Sequence, residues 1–304
     1  MKNHLSFRLI ASFSLLGFAV IFSGCKTIDS AAAAKFATSV TTVKSQANDA
    51  LNAAAKLTRD EGVVFVATRP TLTEADFAET PTSDVVAEWE NTLSTIETYA
   101  LNLAALSAPD ITKNFDAAAT NLFGQFNQTA NRLKANSLSS SASISAGLAS
   151  GFSEAARLIL MARSQATARK VAATTDGQIQ EILNLLASEI GEDHVNPSLR
   201  TTIYRIWNVK KDALTGSFLR GENVAAKTVV AQQYAEILAE RAAQDQALLG
   251  LRRSLLALGD AHHGLAQGNE TSIQTSLTIV ISELQRTRDL YSQFNGDFKN
   301  KTNK

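Results

Sequence analysis

Beyond residue 30 the apolar positions return every three or four residues for almost the whole chain, the spacing that lays a stripe along one side of an α-helix. Residues 30–61 carry Phe36, Val40, Val43, Ala47, Ala50, Ala54 and Leu57 at alternating steps of four and three, which predicts one helix with a continuous seam. A second stripe, Val86, Trp89, Leu93, Ile96, Ala100 and Leu103, starts from Ser83, an N-cap residue followed by Asp84, and ends before Pro109. A third helix is expected from Asp110, with Phe115, Leu122, Phe126 and Leu133 facing inward.

The next stretch, Leu138 to Ala172, has a seam of Leu138, Ser141, Ser145, Leu148, Phe152, Ala155, Ile159, Ala162 and Ala166. Its many small residues predict a close approach by a neighbouring helix. A shorter helix, Gln178 to Ile190, closes before Gly191. Asn196 and Pro197 read as an N-cap and first helical residue, and the helix after them carries two stripes, one through Leu199, Ile203, Ile206 and Ala213 and one through Tyr204, Trp207, Leu214 and Phe218. Two stripes predict burial on two sides and a central place in the bundle.

After Gly221 the longest helix spans residues 222–266, with Tyr234, Ile237, Arg241, Gln244, Leu248, Leu251, Leu255, Leu258, His262 and Leu265 on its seam. Gly268 and Asn269 make a turn, Thr271 and Gln274 suit a capping box, and Ile273, Leu277, Val280, Leu284, Tyr291 and Phe294 return as an antiparallel partner. Proline occurs only at 70, 81, 109 and 197, always between periodic segments. The fold class expected is therefore all-α: an elongated bundle of six to eight helices with a long C-terminal hairpin. The run 191–197 is the best place for a subdivision. Residues 62–83 form an irregular connection, with strand-like alternation at Val63–Ala67, that exceeds the usual length between bundle helices. Phe65, Arg69 and Phe77 are its candidate interaction surface; the plainer reading is a loop covering one end of the core.

The N-terminus follows a different pattern. Lys2 and Arg8 precede an apolar segment from Leu9 to Phe22, too short for a comfortable membrane span, which leads to Ser23, Gly24 and Cys25, the one cysteine of the chain. This arrangement resembles the export signal of bacterial lipoproteins, with Gly24 and Cys25 in the last two lipobox places and Phe22 where that family usually has an aliphatic residue. The resemblance implies that residues 1–24 are a signal peptide cleaved after Gly24, and that residues 25–304 are tethered through a diacylglyceryl thioether on Cys25. A single acyl chain anchors marginally, whereas two or three hold firmly. Lys26 follows the cysteine, and in that family the absence of Asp at this place points to the periplasmic face of the outer membrane.

Removing residues 1–24 takes Lys2 and Arg8 from the 29 basic residues and none from the 29 acidic ones. A near-neutral chain without a basic patch is not expected to take nucleic acid or to grip anionic lipid by charge. With Cys25 acylated, no thiol is left for a disulfide or a thiolate metal site. His194, His262 and His263 are the histidines beyond the signal; no Glu-x-x-His pair, phosphate loop, Gly-x-Ser-x-Gly elbow or His-Glu-x-x-His accompanies them. The seam polar residues Arg241, Gln244 and His262, with Trp207, are candidates for buried polar or ligand contacts. No metal or other cofactor and no catalytic residue is expected. The leading expectation is a structural or protein-interaction lipoprotein whose partner is another envelope protein. The alternative is a helical bundle that binds a small molecule or lipid; an enzyme ranks third, and oligomeric state is not predicted.

Overall fold

The computed structural model describes residues 28–66, 73–74, 81, 83–107, 115–136, 149–157 and 168–301. Among them are eight helices and no strand: α1 (Ser30–Val66), α2 (Ser83–Leu106), α3 (Phe115–Asn136), α4 (149–157), α5 (Ala168–Ile190), α6 (Leu199–Arg220), α7 (Val224–Gln267) and α8 (Glu270–Lys301). None of these helices is long and apolar enough to cross a membrane.

The 44-residue α7 is the spine, about 66 Å long at 1.5 Å per residue. Its C-terminal half is apolar on several sides, so Leu248, Leu251, Leu255, Leu258 and Leu265 are buried, as the seam predicts. Gly268 ends it in the left-handed region, φ 67°, where a Cβ would be strained, and the Asn269 amide donates to the Gly264 carbonyl at 2.9 Å. The chain then reverses into α8, forming the long antiparallel hairpin. Asn269 caps α8 by accepting from the Ser272 amide at 3.2 Å, so the cap falls two residues before the expected Thr271.

α5 and α6 run in tandem along α7, both antiparallel to it. Leu183 of α5 lies near Gly259, and Trp207 of α6 bonds Gln244. At the joint, residues 191–198 turn on Gly191, φ 92°, where any Cβ would stand 2.2 Å from the Ser198 hydroxyl. Ser198, not Asn196, caps α6, accepting from the Thr201 amide at 3.2 Å; Asn196 is instead drawn to the Asp193 carboxylate.

Antiparallel α1 lies across α7, with Phe36 and His262 ring centroids 5.9 Å apart, and every residue of its predicted seam is buried. α2 is tied to α1 by a Lys44–Glu97 ion pair of 2.7 Å, and α3 meets α2 through the Thr95 and Thr129 hydroxyls at 2.6 Å. α4 brings Phe152 edge-on to Phe126 at 5.2 Å, and Gly151 sits where a Cβ would meet Ile182 at 3.0 Å, the close approach that the small residues foretold.

Three expectations are corrected. α1 continues through 62–66 to Val66, because β-branched residues and one glycine lower helix propensity only modestly when no proline intervenes. Residues 168–172 belong to the same helix as 178–190. Thr174 and Thr175 return their hydroxyls to the carbonyls of Lys170 and Val171, so a stretch that read as a break stays helical. Finally, α6 is peripheral: Phe218 and Leu219 are exposed near its end, and α7 takes the central place.

Candidate functional site

Three polar clusters hold these helices together. In the first, the Tyr99 hydroxyl of α2 lies 2.7 Å from His262 Nε2 of α7, and His262 Nδ1 lies 3.0 Å from Asp176 Oδ1 of α5. With Nδ1 donating to the carboxylate, Nε2 accepts from the phenol. Asp176 Oδ2 takes two further donors, His263 Nδ1 at 2.6 Å and Gln180 Nε2 at 3.0 Å. Thr175 closes the cluster, its hydroxyl 2.9 Å from Tyr99 Oη.

The order hydroxyl, imidazole, carboxylate is that of a nucleophile relay. Its surroundings make it a clamp instead. Tyr99 and His262 are fully buried, and burial pushes the phenol above its usual range. Burial likewise pushes His262 below the usual imidazole value, against the hydrogen bond and charge of Asp176. Burial works against the Asp176 charge too, but hydrogen bonds with His262, His263 and Gln180 outweigh it and hold the carboxyl at about 2. The result is a neutral imidazole clamped between a phenol donor and a carboxylate, with all three groups paired. A substrate could reach Tyr99 only by parting α2, α5 and α7.

The second cluster fastens the α5–α6 joint to α7. Arg200, 5 % exposed, forks onto Asp245 with Nε–Oδ1 at 2.9 Å and Nη2–Oδ2 at 3.0 Å, and donates through Nη1 to the Glu192 carbonyl. His194 adds a 2.6 Å contact to Asp245 and stacks on Tyr204 at 4.3 Å. Burial opposes the Asp245 charge, but the bonds from Arg200 and His194 prevail and keep its carboxyl below the usual range.

Of the four seam candidates, three come together at the α6–α7 contact. Trp207 Nε1 donates to Gln244 Oε1 at 2.8 Å; one turn earlier Arg241 donates to Asn208 Oδ1 at 3.1 Å and lies 5.0 Å over the Tyr204 ring. His262 is about 27 Å further along the spine at helical rise, in the first cluster. Arg69, Phe77 and the side chain of Phe65 lie outside the described residues, as do Gly24 and Cys25. Asp176 and Tyr99 were missed from sequence because one sat in an apparent interhelical break and the other beside the chosen stripe. A carboxylate next to Thr174-Thr175 and about one turn of helix from Ala172 and Ile179 was the available signal.

The third cluster pairs Trp89 Nε1 of α2 with Glu189 Oε2 of α5 at 2.5 Å. Burial, reinforced by the Glu88 charge and only partly offset by the Trp89 bond, raises the Glu189 carboxyl to about 7. Among the described residues no group of three or more His, Cys, Asp or Glu side chains converges as a metal ion would need.

Past Gln244 the α6–α7 pair carries a different surface. Of nine exposed large apolar side chains among the described residues, five lie here: Val209, Phe218, Leu219, Val224 and Val229, with Leu219 75 % and Val224 82 % exposed. A shallow apolar groove of about 240 Å³, walled by Leu214, Phe218, Val230 and Tyr234, runs between the two helices. Compared with known protein families, curated proteins and solved structures, the chain matches none.

Proposed function

We propose that the chain is a membrane-anchored periplasmic lipoprotein whose helical body presents the α6–α7 arm to another protein of the cell envelope. The supporting observation is polarity of the rod. Ile28, three residues after Cys25, is buried, and α1 begins beside the α7–α8 turn, with Lys35 Nζ 3.4 Å from Gln274 Oε1. Four of the nine exposed large apolar side chains among the described residues, Phe218, Leu219, Val224 and Val229, gather where α7 begins, about 65 Å away along the helix. A lipid tether at one end would hold the body to the bilayer and leave the apolar arm free at the other.

The arm groove is smaller than the roughly 300–1,000 Å³ of small-molecule sites, so insertion of a partner's side chain suits it better than a resident ligand. The polar clusters serve this reading as rigidity: Arg200–Asp245 and Trp207–Gln244 fix the base of the arm to the spine.

The test has two arms. Metabolic labelling with palmitate should mark the wild type and leave Cys25→Ser unmarked. A photo-crosslinking residue at 219 or 224 in intact envelopes should capture a defined protein, whereas the same residue at Ile279 or Ile281, also exposed apolar positions but on α8, should not. An unlabelled wild type removes the anchor. Equal capture from α8 removes the arm as the docking surface.

A further inference from the structure

Between α1 and α8, away from the arm and from all three polar clusters, lies a cleft of about 500 Å³. Its α1 wall is the face Thr42, Ser45, Gln46, Asp49 and Asn52; Thr287 and Arg288 come from α8. Ala53 and Leu284 add apolar surface, and the rest are amides, hydroxyls and one charge of each sign. No aromatic side chain lines the cleft.

Gln46 is the informative residue. It is 8 % exposed, lines the cleft, and neither its Oε1 nor its Nε2 has a hydrogen-bond partner among the described residues. A buried amide left unpaired costs about 1–3 kcal/mol for each group, so an unpaired donor and acceptor side by side are expensive unless something occupies the cleft. Behind it α8 cannot retreat: Thr287 lies against Gly250 of α7, where even a Cβ would stand 2.9 Å from its hydroxyl. Across the opening, Asp49 and Arg288 have no ion-pair partner among the described residues and face solvent.

From this geometry we infer that the cleft binds a short peptide, its backbone paired by the Gln46 carboxamide and its charges met by Asp49 and Arg288. A peptide unit offers one N–H and one C=O, the complement of a carboxamide. The α1 face from Thr42 to Ala53 is about 16 Å long, the reach of roughly five extended residues. Opposite charges on the two walls disfavour a purely anionic or purely cationic ligand and suit a zwitterion. A sugar would find hydroxyl partners here but no ring to cover its apolar face.

The inference stands independently of the anchor and the arm. It is tested by calorimetric titration of the full chain in detergent with tetraalanine, with its N-acetylated, C-amidated form, and with maltotriose. Saturable binding of tetraalanine, weakened at least about tenfold by Gln46→Leu and measurably by the exposed Asn52→Ala, is expected. Gln46→Leu should melt no lower than wild type, because it removes two unpaired groups without changing volume much. Capping removes both charges of tetraalanine, so the capped form should bind more weakly, and equal binding would take Asp49 and Arg288 out of the assignment and overturn it. Absence of saturation by tetraalanine, binding that ignores both substitutions, or preference for maltotriose likewise overturns the assignment.

Discussion

Replacing Glu189 with Gln should stabilise the protein above neutral pH and leave it unchanged in acid. In the fold its carboxyl is raised from 4.5 to about 7, chiefly by burial and then by the nearby Glu88. A group raised in this way contributes its full stability below 4.5, where it is protonated in both states; that contribution fades as pH rises and is gone above about 7. At about 1.4 kcal/mol per tenfold change in proton affinity, and trimmed because Glu189 is only half-buried, the carboxylate costs the fold about 2–3 kcal/mol at pH 8. Gln keeps an oxygen for the Trp89 Nε1 donor and carries no charge. Urea unfolding followed by circular dichroism, on both proteins at about pH 4 and pH 8, should therefore give a gain of about 2–3 kcal/mol at the higher pH only. His262, held below its usual value, loses stability as pH falls below 6.5, so the variant-minus-wild-type difference is the quantity to compare. An equal gain at both pH values, or none at pH 8, would refute the argument that desolvated charge is the cost.

Tyr99→Phe deletes the donor to His262 Nε2 inside a fully buried cluster and should cost about 1–3 kcal/mol by denaturant titration; a cost under about 0.5 kcal/mol would mean that the imidazole does not depend on the phenol. Two helical glycines of α7 should diverge on substitution by Ala. Gly259 has its nearest neighbours 3.9 Å from a Cβ and should gain roughly 0.5–1 kcal/mol, whereas Gly264 would meet Ile273 at 2.8 Å and its backbone nitrogen at 3.1 Å and should lose at least about 1 kcal/mol. Similar melting shifts for both would contradict the close packing of the α7–α8 turn.

The periodic seams told which side of each helix is buried, because a stripe at steps of three and four has no other way to leave water. Phe36 to Leu57 on α1 and Leu248 to Leu265 on α7 are inside as read. Helix ends were less legible. Gly62 and the Thr174–Gly177 stretch resemble breaks locally, yet both stay helical; at the second, Val171, Ala172, Thr175 and Ile179 are buried, and local propensity yields to that burial. The two apolar stripes of α6 misled for a related reason: a stripe marks a surface that prefers cover, not one that the same chain covers. The far end of α6 keeps Phe218 and Leu219 in water.

Composition and pattern alone determined that this is an all-helical chain with a long C-terminal hairpin, since helix propensity, proline placement and seam spacing are local properties. Only the tertiary structure decided which polar residues meet. Tyr99, Asp176 and His262 lie on three helices, at most 163 positions apart, and nothing in their spacing encodes the 2.7 and 3.0 Å contacts between them. The same holds for Gln46, an unremarked residue between seam positions until α8 closes one side of it and leaves its amide unpaired beside the cleft. Contacts of that kind depend on how whole helices stack, a property of the assembled bundle that no single stretch of sequence carries.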